Sequence, residues 1–250
     1  MVVTLHPIKF EYPVLPGFGL DNLVNYVSKF VTEGDIVVFS SKLISYCENR
    51  LVKLSEVEPS KDAVEIGRKY CMDEKIAEVV LREADKILGG FTGFLLTLKF
   101  GILCPNAGVD TSNVPEGFAV LYPKDPVKSA KILKNKLKEI VGDVGVVITD
   151  SRILPLRRGV SGVALAACGF DAVVDCRGRI DIFGKNLKST FRNLADMISS
   201  ASQLLMGEAD ELTPAVIVRG IKVNFTDDCP RLSVDPAECL YRELFCHLNL

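Results

Sequence analysis

The stretch VGVVITDSRILPLRRGVSG, residues 144–162, is the segment from which we predict the rest of the architecture. Its first part, residues 144–149, is apolar and rich in β-branched side chains, which predicts a buried strand. We expect the strand to end at Asp150 and Ser151, before a loop of arginines and glycines. A carboxylate and a hydroxyl facing such a loop suit a metal ion and a phosphate. A plain turn capped by Asp150, with solvated arginines, explains the same residues.

The composition is that of an ordinary globular protein. The chain has 250 residues, of which 48% are hydrophobic and 25% charged, and its net charge is −2. This length can bury one large core or two smaller domains. The nearly neutral charge argues against a nucleic-acid partner. The lack of a long apolar run or a signal-peptide pattern predicts a cytoplasmic protein with no membrane partner.

Eight cysteines are spread along the chain without a CxxC pair, and there are only two histidines. This spacing argues against a zinc site. Most of the cysteines have apolar neighbours, as Cys168 does after two alanines. We therefore expect small buried thiols in a reducing compartment, not disulfides.

Two other stretches resemble the end of the first predicted strand. Residues 36–39 predict a short buried strand that ends in Ser40, Ser41 and Lys42, and hydroxyls with a lysine suit nucleotide phosphates. The alternative is a polar turn with a solvated lysine. In the polar loop CPNAGVDTSN, residues 104–113, Asp110 and Asn113 suit a metal with a phosphate or sugar, and a self-bonded Asx turn is the alternative.

Capping residues and apolar periodicity predict the helices. Helices capped by Asp21, Ser60 and Asp125 are expected, the last of them with solvated lysines and an end near residue 141. Others are expected from residue 73 to about 88, from 187 to Gly207, and from Asp235 through Leu248. The GxGxxG, GxxxxGK[ST] and GxSxG motifs are absent from the sequence. An acidic loop at 208–211 adds further oxygen donors, so the polar stretches together predict a metal-dependent nucleotide site outside these motifs.

The stretch NAGVDTSN, residues 106–113, resembles the NAGxDxSN motif of the coenzyme F(420):L-glutamate ligases, which are gamma-glutamyl ligases. The similarity covers essentially residues 1–224 and leaves a tail, 225–250, that we expect to be helical. The other similar stretches keep the family's order: GDIVVFSSKLIS at 34–45, EPSKDA at 58–63, DPVKSA at 125–130, TDSRILPLRRGVSGVAL at 149–165, GFDAVVDCRGRIDIFGKNLKST at 169–190 and LMGEADELTPAVIVRG at 205–220.

The resemblance implies a fold and a reaction. The fold would be α+β, with a bent, mainly antiparallel sheet, helices packed on it and an intertwined homodimer. Residues 1–224 would form the ligase domain, which can comprise two subdomains. In the reaction, GTP would phosphorylate a carboxylate of an F(420)-0-type acceptor, and the amino group of L-glutamate would displace the phosphate. Two Mg²⁺ or Mn²⁺ ions, with room for a monovalent cation, would assist.

The resemblance also implies roles for individual residues. Arg157 and Arg158 are candidates for catalytic binding of a phosphate or substrate carboxylate, because guanidinium groups bind both bidentately. The metal ligands would be Asp110, Asp150, Ser151 and Glu208, all of them hard oxygen donors. The residues expected to contact GTP are Ser40, Ser41, Lys42, Asn113, Met206, Gly207, Asp210 and Glu211.

Some residues depart from the F(420) pattern. Where that family usually has Asp-Thr with a following Gly-Arg, this chain has Asp150, Ser151 and Arg152. Asn49 replaces the glycine of the family's usual Glu-Gly-Arg. The DSRxLPLRRG form is similar to a sister branch of gamma-glutamate ligases in folate metabolism. The alternatives are therefore the same ligation on a folate or pterin acceptor, or a non-catalytic GTP-binding paralogue.

Overall fold

The computed structural model describes residues 2–245. The strands are β1 Thr4–Ile8, β2 Ile36–Ser40, β3 Leu51–Lys53, β4 Lys86–Phe91, β5 Phe94–Lys99, β6 Ile102–Pro105, β7 Phe118–Val120, β8 Gly145–Ile153, β9 Val160–Cys168, β10 Val173–Asp175, β11 Phe191–Asn193 and β12 Ala215–Arg219. The α-helices are α1 Leu20–Val27, α2 Ser41–Cys47, α3 Lys61–Tyr70, α4 Glu74–Glu83, α5 Pro126–Val141, α6 Leu194–Met206 and α7 Arg242–Phe245. Short 3₁₀ turns occur at Leu54–Glu56, Asn106–Gly108 and Pro236–Glu238.

The main sheet has five strands in the order β1-β12-β2-β8-β9. Its neighbours are antiparallel except for β2 and β8, which run parallel. The predicted α+β class with a mainly antiparallel sheet is therefore confirmed. Both faces are covered: Val37 and Phe39 of β2 join the core that contains residues of α1, α2 and α5, and Ile36 and Val38 face the core that contains residues of α6. Within residues 2–245, no helix is long and apolar enough to cross a membrane.

Strand β8 is longer than the sequence suggested. Asp150 and Ser151 do not end it, because they pair with Val163 and Gly162 of β9 in a long hairpin. At Gly162 an added Cβ would lie 2.5 Å from the Ser199 carbonyl oxygen. This glycine therefore allows α6 to pack closely on the hairpin.

A second group of elements forms its own core beside the main sheet. The strand pair β3-β7 and the three-stranded sheet β4-β5-β6 lie with α3 and α4. The buried residues of this core include Val80 of α4 and Leu95 of β5. The loop after β6 and strand β7 also contribute residues to it, so this core fixes the base of the predicted polar loop.

The predicted caps of two helices are confirmed, and a third is wrong. Ser60 accepts a hydrogen bond from Ala63 N at 3.2 Å, and Asp125 accepts one from Lys128 N at 2.9 Å. Asp21 is not a cap, because α1 begins one residue before it, after Gly19. Helix α2 was not predicted at all.

Three other helix predictions need correction. The helix expected to reach residue 88 ends at Glu83, because the following residues pair as β4. The helix expected from 187 starts at Leu194, where Asn193 accepts a hydrogen bond from Asp196 N at 3.1 Å. The C-terminal helix is reduced to the 3₁₀ turn and α7, and residues 246–250 lie outside the described chain.

The expectations for cysteine and lysine side chains also fail at two places. Cys168 forms a disulfide with Cys229, which fixes the C-terminal segment to the end of β9. Lys134 of α5 is buried and pairs with Asp227 of the same segment, so it is not solvated. Neither partner is close in sequence, and so neither contact follows from local pattern.

Candidate active site

A cavity of about 590 Å³ opens at the carboxyl end of β2, beside residues 149–151 of β8. Strands β2 and β8 are parallel, and Ser40 lies opposite Thr149. The residues after Ser40 therefore lie beside the residues after Thr149. The 106–113 loop and the acidic loop close the other sides. All predicted nucleotide- and metal-binding residues line this cavity, namely Ser40, Ser41, Lys42, Asp110, Asn113, Asp150, Ser151, Met206, Gly207, Glu208, Asp210 and Glu211.

Asp150 is held from two sides at the back of the cavity. Its Oδ1 accepts a hydrogen bond from Ser41 Oγ at 2.7 Å, and its Oδ2 accepts one from Tyr122 Oη at 2.6 Å. Burial raises the pKa of Asp150, against the opposing effect of these two hydrogen bonds. Burial and the neighbouring carboxylate raise the pKa of Tyr122 well above its usual value, so its hydroxyl stays a donor.

Tyr122 reaches Asp150 across Gly108 of the polar loop. Gly108 has φ +76°, and an added Cβ would lie 2.3 Å from the Tyr122 ring. The glycine of the NAG sequence is therefore needed both for its backbone conformation and for the space that the ring occupies. Tyr122 was not predicted as a site residue.

Asp110 is paired with Lys42. The Lys42 Nζ lies 2.8 Å from Asp110 Oδ2 and also donates to Ser112 O at 2.7 Å and Ser112 Oγ at 3.1 Å. Burial opposes ionisation of Asp110, but the hydrogen bonds and charge of Lys42 with those of Ser112 hold its pKa below the usual value. Asp110 is thus an ionised carboxylate with a cation already beside it. Ser112 was also missed in the sequence.

The acidic loop is held by its own backbone. Glu211 accepts a hydrogen bond from Ala209 N at 2.8 Å, and such backbone hydrogen bonds lower the pKa of Glu211. Asn113 Nδ2 donates to Ala209 O at 3.0 Å, which joins the polar loop to the acidic loop across the cavity. Glu208 accepts a hydrogen bond from Gln203 of α6. In this loop Glu211 therefore has a structural contact in addition to its predicted role.

An apolar wall completes the cavity. It is formed by Phe10, Tyr12 and the segment 13–16. An apolar surface beside a set of convergent polar groups is typical of a small-molecule site that binds a ring system. The polar groups would then orient the charged part of the ligand.

Arg157 and Arg158 do not join the other candidates. They are exposed in the turn between β8 and β9 and do not line the cavity. Arg152 is instead buried in β8, and within the described residues its Nε and one terminal nitrogen have no hydrogen-bond partner. The pairing of β8 with β9 places the two predicted arginines beyond the paired part of the hairpin.

The donors of the cavity are of the kind that a hard divalent ion prefers. Carboxylate and hydroxyl oxygens come from Asp110, Asp150, Ser151 and Glu208, and the described lining contains no Cys or His. Within residues 2–245, however, no three His, Cys, Asp or Glu side chains are close enough together to hold a metal. Any ion here would need hydroxyl, water or ligand oxygens to complete its coordination.

The chain is similar in sequence to a known protein family and to several of its members. Residues 19–220 match the family model described as F(420)-0:Gamma-glutamyl ligase. The coenzyme F(420):L-glutamate ligase of Methanopyrus kandleri is 42% identical over 87% of this chain and 87% of the relative. The proteins of the same name from Archaeoglobus fulgidus and Methanocaldococcus jannaschii are 40% and 37% identical, over 89% and 92% of this chain and 90% and 94% of each relative.

Proposed function

Because this chain belongs to the F(420)-0:Gamma-glutamyl ligase family, we propose that it joins L-glutamate to a coenzyme F(420)-0-type acceptor through a gamma-glutamyl amide bond, at the expense of GTP. The observation that supports this most strongly is the single cavity in which all the predicted nucleotide- and metal-binding residues meet. These residues come from four separate parts of the chain, so their convergence is a property of the fold.

The triphosphate would lie between β2, the polar loop and the acidic loop. Ser40, Ser41 and Lys42 offer hydroxyls and an ammonium to its oxygens, and Asn113 offers an amide. Residues 206–211 would wrap the nucleotide from the other side. The apolar wall at residues 10–16 would pack against a ring of the nucleotide or of the acceptor.

The metal ligands would be Asp110, Asp150, Ser151 and Glu208. Two Mg²⁺ or Mn²⁺ ions, with an additional monovalent cation, would neutralise the triphosphate charge and hold the transferred group in line. Since the described acidic side chains do not form a ready-made metal cluster, phosphate oxygens and waters would complete the coordination, as is usual for Mg²⁺.

The reaction then has two steps. A carboxylate oxygen of the acceptor takes the γ-phosphoryl group of GTP, and GDP leaves. The amino nitrogen of L-glutamate attacks the resulting acyl carbon, the phosphate leaves and the nitrogen loses a proton. The cavity residues bind and align the phosphates, while Tyr122 and Ser41 fix the orientation of Asp150.

Arg157 and Arg158 remain candidates for a substrate carboxylate or phosphate. Such a role requires the turn of this hairpin, or the same turn of a second copy, to approach a cavity. We propose a homodimer, which is supported by apolar side chains exposed in this turn and in the loop between β10 and β11: Leu156 is fully exposed, Ile182 is 92% exposed and Phe183 is 81% exposed. The substrates GTP and L-glutamate make the cytoplasm the expected compartment.

The test is a reaction of the purified protein with GTP, Mn²⁺, L-glutamate and F(420)-0. We expect release of GDP and a product heavier than the acceptor by one glutamate residue. A folate monoglutamate in the same assay tests the alternative acceptor. Binding of GTP without turnover of any acceptor would indicate a non-catalytic paralogue and would contradict the proposal.

The matched variant is Asp150→Asn, which keeps the shape of the side chain and removes its charge. We expect its rate to fall by about 10²-fold or more, because a metal ligand is lost, while circular dichroism shows an unchanged fold. Turnover close to that of the wild type would remove Asp150 from the proposed metal site.

A further inference from the structure

The Lys42 ammonium is surrounded by oxygen atoms in the way that a bound metal ion would be. Its Nζ has three donors, and it contacts three oxygens: Asp110 Oδ2 at 2.8 Å, Ser112 O at 2.7 Å and Ser112 Oγ at 3.1 Å. These contacts satisfy the ammonium group completely. The polar loop therefore already holds a positive charge, and this charge belongs to the chain itself.

Both oxygens of the Asp110 carboxylate accept hydrogen bonds in this arrangement, and Oδ2 accepts two. Its Oδ1 accepts from Ser112 N at 2.7 Å, and its Oδ2 accepts from Ser112 Oγ at 2.7 Å as well as from Lys42. A divalent ion that approached Oδ2 would meet the ammonium at close range, and two cations on one oxygen repel each other. Lys42 has to leave before Oδ2 can act as a metal ligand, and while it stays its charge also opposes a divalent ion at Oδ1.

A triphosphate in the same cavity gives Lys42 another partner. Lys42 lies in the first turn of α2, beside Ser40 and Ser41, and all three line the cavity. Its side chain is 26% exposed and has a flexible four-carbon stem, so the ammonium can turn towards a phosphate without a change in the backbone. Phosphate oxygens can accept the hydrogen bonds that Asp110 and Ser112 give up.

We propose that the Lys42 ammonium occupies the cation position at Asp110 in the free protein. Binding of a divalent ion at Asp110 is therefore conditional on a bound triphosphate. This rests on the proposed function, since it assumes that Asp110 is a metal ligand and that the cavity binds GTP. The consequence is an order of binding. The free protein keeps the ion out, and the nucleotide releases Asp110 by attracting Lys42, so the ion does not bind before the triphosphate.

The test measures Mn²⁺ binding through the electron paramagnetic resonance signal of the free ion, with no nucleotide and then with a non-hydrolysable GTP analogue. The proteins compared are the wild type, Lys42→Met, which removes the charge, Lys42→Arg, which keeps it, and Lys53→Met. Lys53 is a suitable control because its ammonium pairs with Glu56 at 3.1 Å on an exposed surface. Circular dichroism checks the fold, and Lys42→Gln replaces Lys42→Met if the latter does not fold.

Without nucleotide, we expect Lys42→Met to bind Mn²⁺ at least tenfold more tightly than the wild type, Lys42→Arg and Lys53→Met. The analogue should tighten Mn²⁺ binding to the wild type at least tenfold and to Lys42→Met much less. Equal binding of Mn²⁺ by the wild type and Lys42→Met without nucleotide would overturn the inference. The proposed metal–triphosphate site fails in a different way, namely if no protein binds Mn²⁺ even with the analogue.

Discussion

Gly108 shows at the residue scale how the polar loop shapes the cavity. Its φ of +76° and the 2.3 Å approach of the Tyr122 ring leave no room for a side chain. Gly117 is a matched comparison, since it has φ +80° and nothing within 4 Å of an added Cβ. Alanine at either position has the backbone cost of a left-handed conformation, about 1–2 kcal/mol, and only at Gly108 does it also displace a buried ring.

We therefore predict that Gly108→Ala lowers the free energy of unfolding by about 1–3 kcal/mol more than Gly117→Ala does, as measured by urea denaturation. Because the displaced ring holds the Tyr122 hydroxyl that bonds Asp150, Gly108→Ala should also reduce ligase turnover, and Gly117→Ala should not. Equal losses of stability in the two variants would mean that the ring moves aside without cost.

The sequence allows some of the site residues to be predicted and not others. Asp110, Asp150 and Lys42 follow apolar segments or lie in a polar loop, where oxygen donors and cations are easy to notice. Tyr122 lies in the segment AVLYP, where nothing distinguishes it from a core residue. Its role depends on a contact with Asp150 across 28 residues of sequence, and local pattern contains no information on such a contact.

Glu78 links two helices at the element scale. Its Oε2 accepts from Ser60 N, the cap residue of α3, at 2.9 Å, and its Oε1 accepts from Arg82 Nε at 2.8 Å within α4. The hydrogen bonds of Ser60, with a smaller effect of Arg82, lower the pKa of Glu78 to about 2. A carboxyl group whose folded pKa is depressed stabilises the protein above its ordinary pKa, and this stabilisation is lost as the pH falls towards 2.

We predict that Glu78→Gln lowers the free energy of unfolding at pH 7 by about 1–3 kcal/mol, since hydrogen bonds to a charged group are lost. The variant should also lose less stability than the wild type between pH 4.5 and pH 2. Urea unfolding across this range measures both effects, and the exposed Glu65 of α3 provides a control, Glu65→Gln. Parallel pH profiles of Glu78→Gln and the wild type would contradict this account of the carboxylate.

Sequence patterns predicted elements well where local signals were strong. The caps Ser60 and Asp125 fixed the starts of α3 and α5, and an apolar run located β2. The patterns failed where pairing between distant segments decides the conformation. Helix α4 was predicted to continue to about residue 88, but residues 86–91 form β4 because β5 provides a partner for their backbone.

At the scale of the whole molecule, the C-terminal segment contacts both the main sheet and the three-stranded sheet β4-β5-β6. Gly169 exchanges backbone hydrogen bonds with it, at 3.0 Å to Asp228 O and 3.0 Å from Thr226 N. Asp227 pairs with the buried Lys134 of α5. Farther along, Ser233 lies against Gly101 in the turn between β5 and β6 of the small sheet. The family model ends at residue 220, before this segment begins.

The Cys168–Cys229 disulfide fixes this segment to β9 and closes a loop over a sequence separation of 61 residues. By the chain-entropy model, a loop of this size stabilises the folded state by about 4 kcal/mol, which corresponds to roughly 10 °C in Tm for a chain of this length.

We predict that Cys229→Ser, and the wild type in dithiothreitol, unfold at the same lower temperature in calorimetry. Cys239→Ser, which removes a free thiol of the same segment, should unfold with the untreated wild type. If dithiothreitol leaves the Tm of the wild type unchanged, the ion pair at Asp227 and the backbone hydrogen bonds of Gly169 are sufficient to hold the segment, and the disulfide contributes little to the stability of the molecule.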